Sequence, residues 1–146
     1  QAIREFARLL SPGGHLIVST PNILNVEERA KWLLYGYTSH FKPLSAEHIQ
    51  AQRRHGGDKH EVALHINPIA YPELRYILER YGFQVVAIHK DRTKRLLWLY
   101  APLVWLIRLI GWLTPAARRH ERWTEQLQSD DILLGGNTLI LHAAKR

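Results

Sequence analysis

The chain has 146 residues, 46% of them hydrophobic, a length and apolar content suited to one folded domain and unlike a disordered or disulfide-stapled chain. It contains no cysteine, which excludes disulfides, thiolate catalysis and cysteine-held zinc or iron–sulfur clusters. A formal charge of +7 and a pI near 10 point to an anionic partner without choosing among nucleic acid, a phosphate-bearing ligand and anionic lipid.

Ile3, Phe6, Ala7 and Leu10 recur at helical spacing, with Arg4, Glu5 and Arg8 on the polar side, and predict an amphipathic helix over residues 1–10. No capping residue or initiator methionine precedes them, so the sequence is expected to begin inside a helix of a longer protein. Pro12-Gly13-Gly14 then reverses the chain into Leu16-Ile17-Val18. That apolar run is too short for a helix and reads as a strand at 15–20, covered on both faces and closed by Pro21-Asn22. Asn25 with Glu28 three residues on has the pattern of an N-cap and its partner. It predicts a helix over 26–35 that carries Trp32, Leu33 and Leu34 and stops at Gly36.

From 36 to 63 the signal weakens. Tyr37, His40, Phe41 and Pro43 read as irregular, Ser45 as a cap for a short helix over 46–54, and residues 55–60 as a polar loop. Pro72 suits the first turn of a helix in which Leu74, Ile77, Leu78 and Tyr81 recur before Gly82. Residues 83–89 form a second β-rich run and residues 137–144, after Gly135-Gly136, a third. Three strands alternating with about five helices give an α/β class, interrupted by an insertion over 90–134.

Ligands of open α/β sheets lie beyond the carboxyl ends of strands, which puts Thr20, Pro21 and Asn22 beside a substrate; in the plainer alternative Asn22 only makes the turn. His55, His60 and His65, near Asp58 and Glu61, fall at intervals of five. That interval aligns no ligands on a helix, so no metal site is expected; a polar loop that orders as a lid over substrate fits better.

The insertion is apolar almost throughout residues 96–113, with Lys90, Arg92, Lys94 and Arg95 before it and Arg118, Arg119 and Arg122 after it. Trp98, Trp105 and Trp112 recur every seven residues, one stripe on a helix within a drift of about 20° per heptad. A membrane-crossing helix is disfavoured by Pro102 and Arg108 inside a barely sufficient run. Two readings stay open. One is an in-plane membrane helix with the tryptophans in the acyl boundary and Arg95, Arg118 and Arg119 on anionic head groups. The other is a helix or hairpin, bent at Pro102, that covers the sheet or packs on a second subunit. Nucleic-acid binding would place stacking aromatics on a basic sheet face, whereas these tryptophans lie among leucines, so no nucleic acid is expected.

Three stretches carry a further signal: residues 6–22, with Pro12-Gly13-Gly14 before Leu16-Ile17-Val18; residues 71–86, with Pro72 and Gly82-Phe83; and residues 134–145, with Gly135-Gly136 before Leu139-Ile140-Leu141. In this order and spacing the chain resembles the C-terminal half of a class I S-adenosylmethionine-dependent methyltransferase. The stretches are similar to that family's helix, turn and fifth strand, its last helix and sixth strand, and its antiparallel seventh strand. The resemblance implies a Rossmann-like sheet with the last two strands side by side, which also argues against a crossing helix between them.

It further implies S-adenosylmethionine as cofactor of the full-length parent and methyl transfer resting mostly on positioning. His65 and Asn67 would lie near the pocket, His65 as general base or hydrogen-bond partner, although a histidine that structures the loop before Pro68 fits equally. The family's glycine-rich cofactor loop and the acidic residue after its second strand have no counterpart here, so no cofactor-binding residue and no activity are expected of this chain alone. The expected plan is a single partial domain, with core units over 1–89 and their substrate-side loop at 36–65, the insertion over 90–134, and a terminal strand over 135–146. Expected partners are a small-molecule or lipid-linked methyl acceptor, a membrane surface, and a second copy joined through 96–113 or through the strand edge at 15–20. The expected location is the cytoplasm, at the inner face of the membrane. The competing reading is a non-enzymatic module that binds membrane or protein through the basic tryptophan-rich helix.

Overall fold

Eleven elements follow one another along residues 1–39, 69–95 and 97–146, the part of the chain that the computed structural model describes. They are α1 (Ala2–Leu9), β1 (His15–Pro21), α2 (Val26–Tyr35), α3 (Tyr71–Arg80), β2 (Phe83–Lys90), a 3-10 helix (Leu97–Tyr100), α4 (Ala101–Leu113), α5 (Ala116–Glu121), α6 (Thr124–Leu127), α7 (Asp130–Leu133) and β3 (Thr138–Lys145). The expected helix over 46–54, the loop over 55–60, His65 and Asn67 lie outside the described residues.

Local chemistry sets the boundaries. The Asn25 side chain accepts from the Glu28 N–H at 3.0 Å and starts α2, and Gly36 ends it in the left-handed region at φ 74°, which costs glycine nothing. Pro72 sits in the first turn of α3, where its missing N–H has no helical partner to lose. At the other end of the chain Lys145 reaches back to α1 and donates to the carbonyls of Ala7 at 2.6 Å and Leu10 at 2.7 Å. Its cation thereby satisfies acceptors that a helix C-terminus leaves open.

The three strands form one sheet in the order β1-β3-β2, with β3 antiparallel to both neighbours. The molecule is therefore α/β with a small, open, antiparallel sheet. A bulge between Val85 and Ala87 shifts the β2 register against β3. One face of the sheet makes the core: Leu139, Leu141 and Ala143 of β3 and Phe83 of β2 pack with Tyr71, Leu74 and Leu78 of α3 and Ile132 of α7, flanked by Leu16, Val18 and the apolar side of α1. The other face is open. Ile17 is 71% exposed and Val86 56% exposed, which corrects the expectation of a strand covered on both faces. The reason is that α1, α3 and α7 all join the same core cluster on the Leu16 and Val18 side, leaving alternate residues of β1 to solvent.

The insertion also differs from expectation. Residues 97–113 are not one helix: the 3-10 helix ends at Tyr100, and α4 starts at Ala101 with Pro102 in its first turn. Proline disfavours a helical residue before it and lacks the N–H an interior position would need, so it starts α4 where the sequence reading placed a bend. Trp105 and Trp112 share α4, whereas Trp98 lies on the preceding 3-10 helix, and Leu96 is outside the described residues. At 13 residues, α4 is about 20 Å long against the roughly 30 Å of a bilayer core. No described helix is long and apolar enough to cross a membrane. Residues 116–133 break into α5, α6 and α7, giving seven α-helices among the described residues where about five were expected overall. Trp123, held at φ 48° before α6, and Ser129, which caps α7, mark two of the breaks.

Candidate functional site

At the carboxyl end of β1 the chain turns sharply through Asn22, and β3 fixes the turn. The Asn22 N–H donates to the Asn137 carbonyl at 2.8 Å, its side-chain amide donates to the Ile132 carbonyl at 2.9 Å, and its side-chain oxygen accepts from the Leu24 N–H at 3.3 Å. Asn25 completes the knot, donating to the carbonyls of Asn22 at 2.8 Å and Gly136 at 3.0 Å while capping α2. Both asparagines are fully buried, and a Cβ on Gly135 would lie 2.9 Å from the Asn22 amide nitrogen. Both polar atoms of the Asn22 side chain thus have partners inside the fold, where they hold the turn. Thr20 is buried and Pro21 half-buried behind it.

Beside this knot lies a cluster of charges. The buried Glu28 carboxylate accepts from the Ser39 N–H at 2.6 Å and lies 3.4 Å from the Lys31 ammonium. Lys31 also pairs with Glu27 and donates to the Ser39 hydroxyl at 2.6 Å. Lys94, arriving from the insertion, bridges Glu27 and the Asn137 side chain, each at 2.7 Å. Burial raises the Glu27 carboxyl, but Lys31 and Lys94 outweigh that and hold it below its ordinary value of 4.5. Burial likewise lowers Lys31, and the two carboxylates more than reverse the effect. The cluster ties α2 to the start of the insertion and to the residue before β3.

Directly after the Asn22 turn, Ile23 and Leu24 join Trp32 and Leu33 of α2, with Arg29 and Thr38, around an open cavity of about 320 Å³. Its lining is apolar apart from two groups. The Thr38 hydroxyl oxygen is buried and has no hydrogen-bond partner among the described residues, and Arg29 forms one wall, its guanidinium lowered from the ordinary value by burial. Arg29 is held by the carbonyls of Leu24 at 2.6 Å and Leu127 at 2.7 Å, which docks α2 against α6. A buried hydroxyl without a partner costs about 1–3 kcal/mol. A ligand with an apolar body and one polar atom would relieve it. This cavity is the candidate site.

A second cavity of about 410 Å³ lies by the β2 bulge, between Tyr71, Arg75, Glu125 and Asp131. There Arg75 pairs with Glu79 at 2.7 Å, donates to the Tyr71 hydroxyl at 3.0 Å and lies 5.2 Å from the centre of the Trp123 ring. Among the described residues no three His, Asp or Glu side chains converge as a metal site.

No protein-family model matches the chain, and no curated protein matches it.

The residues named from sequence separate into two groups. Thr20, Pro21 and Asn22 come together with α2 and β3 at the end of β1. Trp98, Trp105 and Trp112 lie exposed on the insertion with Arg95 and Arg118, whereas Arg119 is half-buried and its Nε has no partner among the described residues. His65 and Asn67 belong to neither group, being outside the described residues. Sequence reasoning missed Arg29, Thr38 and the lysine–carboxylate cluster. The pattern Glu27-Glu28 with Lys31 at helical spacing could have shown the cluster; nothing local marks Thr38, whose burial depends on the cavity.

Proposed function

We propose that the chain is the acceptor-side part of an S-adenosylmethionine-dependent methyltransferase, working at the cytoplasmic face of a membrane on an amphipathic or lipid-linked acceptor. The observation that carries the reading is the cavity after β1: an apolar pocket with one hydroxyl that has no partner among the described residues, at the strand end where open α/β sheets receive ligands. The sheet supports it further. β2 and β3 are adjacent and antiparallel, the arrangement that the resemblance of residues 71–86 and 134–145 implies for a Rossmann-like sheet.

In this reading Ile23, Leu24, Trp32 and Leu33 bury the apolar body of the acceptor. The Thr38 hydroxyl takes a hydrogen bond from, or gives one to, its polar end, and the Asn22–Asn25 knot keeps the walls in place. The described residues do not fit the cofactor. Gly135 and Gly136 are buried against Asp131 and Asp91 of the same chain, and Gly13, Gly36 and Gly82 occupy isolated turns, so none of them makes a cradle for a ligand. No transfer step is therefore assigned to this chain, and the cofactor would be held by residues outside the sequence. A second reading, a non-enzymatic interaction module, is favoured by the exposure of Trp105 and Trp112.

The native gene upstream of the Gln1 codon separates the two. A strand followed by a Gly-x-Gly loop about a hundred residues earlier is expected for the enzyme. A reading frame that opens near Gln1 would overturn it in favour of the module.

A further inference from the structure

The sequence set the tryptophan-rich insertion apart as one hydrophobic segment, but the fold joins it to a second. The last turn of α2 exposes Trp32, Leu33, Leu34 and Tyr35. On α4, Trp105, Ile110, Trp112 and Leu113 are exposed. The two groups are neighbours, because Arg29 lines both the cavity walled by Trp32 and Leu33 and a second hollow walled by Ile110 and Gly111. Two contacts hold α4 in this attitude. The Gln128 side chain donates to the Ile107 carbonyl at 2.9 Å, lying where a Cβ on Gly111 would be, and Arg108 pairs with Asp130 at 2.6 Å.

A helix that is apolar all round is ordinarily buried on every side, yet α4 leaves an apolar stripe open to solvent. Apolar patches of this kind on a folded chain mark protein or membrane contacts. The charge decides between those. Residues 90–122 hold eight Lys or Arg side chains against two acidic ones, and Arg92 and Arg95, before α4 in the chain, and Arg118 and Arg122, after it, are exposed. Tryptophans among leucines with flanking arginines suit the interface of an anionic bilayer, each nearby cation contributing about 1 kcal/mol of attraction.

We infer that the end of α2 and the exposed stripe of α4 form a single docking surface for an anionic lipid bilayer, with the cavity walled by the β1 turn, α2 and Thr38 opening beside it toward the acyl boundary. This deepens the reading of an amphipathic acceptor, which would reach the cavity directly from the lipid. It needs no cofactor, so docking and methyl transfer can fail separately.

The test is flotation of the full chain with phosphatidylcholine vesicles, with and without about one third phosphatidylglycerol. The expected result is partitioning onto the anionic vesicles only, weakened by salt. It should fall at least about tenfold in W105A/W112A and also in L34S/Y35S, all of them exposed positions whose circular dichroism and melting should match the parent. Equal binding to neutral vesicles would overturn the proposal, as would L34S/Y35S binding like the parent. So would absence of vesicle binding together with a dimer in sedimentation that W105A/W112A abolishes, since the surface would then join two copies. Absence of vesicle binding by a monomeric, folded chain would sink the docking surface and leave the enzymatic reading to the upstream gene sequence, which tests it separately.

Discussion

Replacing Asn25 by alanine should destabilise the chain far more than one polar side chain ordinarily does. The substitution removes the cap on the Glu28 N–H, worth about 1 kcal/mol. It also takes the donor from two carbonyls, those of Asn22 and Gly136, at a fully buried position. A buried acceptor left unpaired costs about 1–3 kcal/mol, at the low end here because a carbonyl has a second lone pair. The total is about 2–4 kcal/mol, or a fall in melting temperature of some 2–4 °C for each kcal/mol in a chain of this size. Urea unfolding followed by circular dichroism measures it. Asn25→Ser provides an internal control, because serine can cap the helix but cannot reach both carbonyls, and it should recover about 1 kcal/mol of the loss. A loss below about 0.5 kcal/mol for Asn25→Ala, or a serine variant no better than alanine, would refute the reasoning that this residue ties the β1 turn to β3.

Three further outcomes follow from the same structure. Gly111→Ala should cost about 1–2 kcal/mol by pushing the Gln128 amide off the Ile107 carbonyl, and Gln128→Ala in the same chain should relieve the clash, so that a double-mutant cycle by thermal melting shows clear non-additivity. Glu27 has its carboxyl depressed in the folded state, so its contribution is present above the ordinary 4.5 and lost as pH falls through the folded value; Glu27→Gln should flatten the acid limb of urea stability measured between about pH 3 and 6. Ile17→Thr should change stability by less than about 0.5 kcal/mol, whereas Leu141→Ala should cost about 2–5 kcal/mol; equal losses at the two sites in denaturant melts would mean that the open sheet face is covered.

How much of this was legible beforehand depended on whether a signal was local. Asn25, Glu28 and Gly36 fix α2 by backbone hydrogen bonding within a few residues, and Pro72 and Gly82 act in the same way on α3, so these boundaries could be read directly. Exposure could not. Leu16-Ile17-Val18 is apolar without interruption, yet only Leu16 and Val18 reach the core, because burial is decided by which helices lie on each face. The seven-residue tryptophan spacing failed for a different reason: periodicity describes a stripe only while the helix continues, and the chain changes from 3-10 to α at Ala101. Ser129-Asp130-Asp131 carries a local signal that the sequence reading left unused, a capping serine followed by acidic residues in the first turn, and the short helix α7 it starts delivers Ile132 and Leu133 to the interior. The candidate cavity was hidden because its walls come from the β1 turn, α2 and Thr38. No contiguous stretch of sequence describes it.

Calorimetric titration of S-adenosylmethionine into the natural gene product that contains residues 1–146 tests the central claim most directly. The account predicts saturable one-to-one binding by that protein and none by the 146-residue chain alone. A folded gene product that releases no binding heat would contradict it.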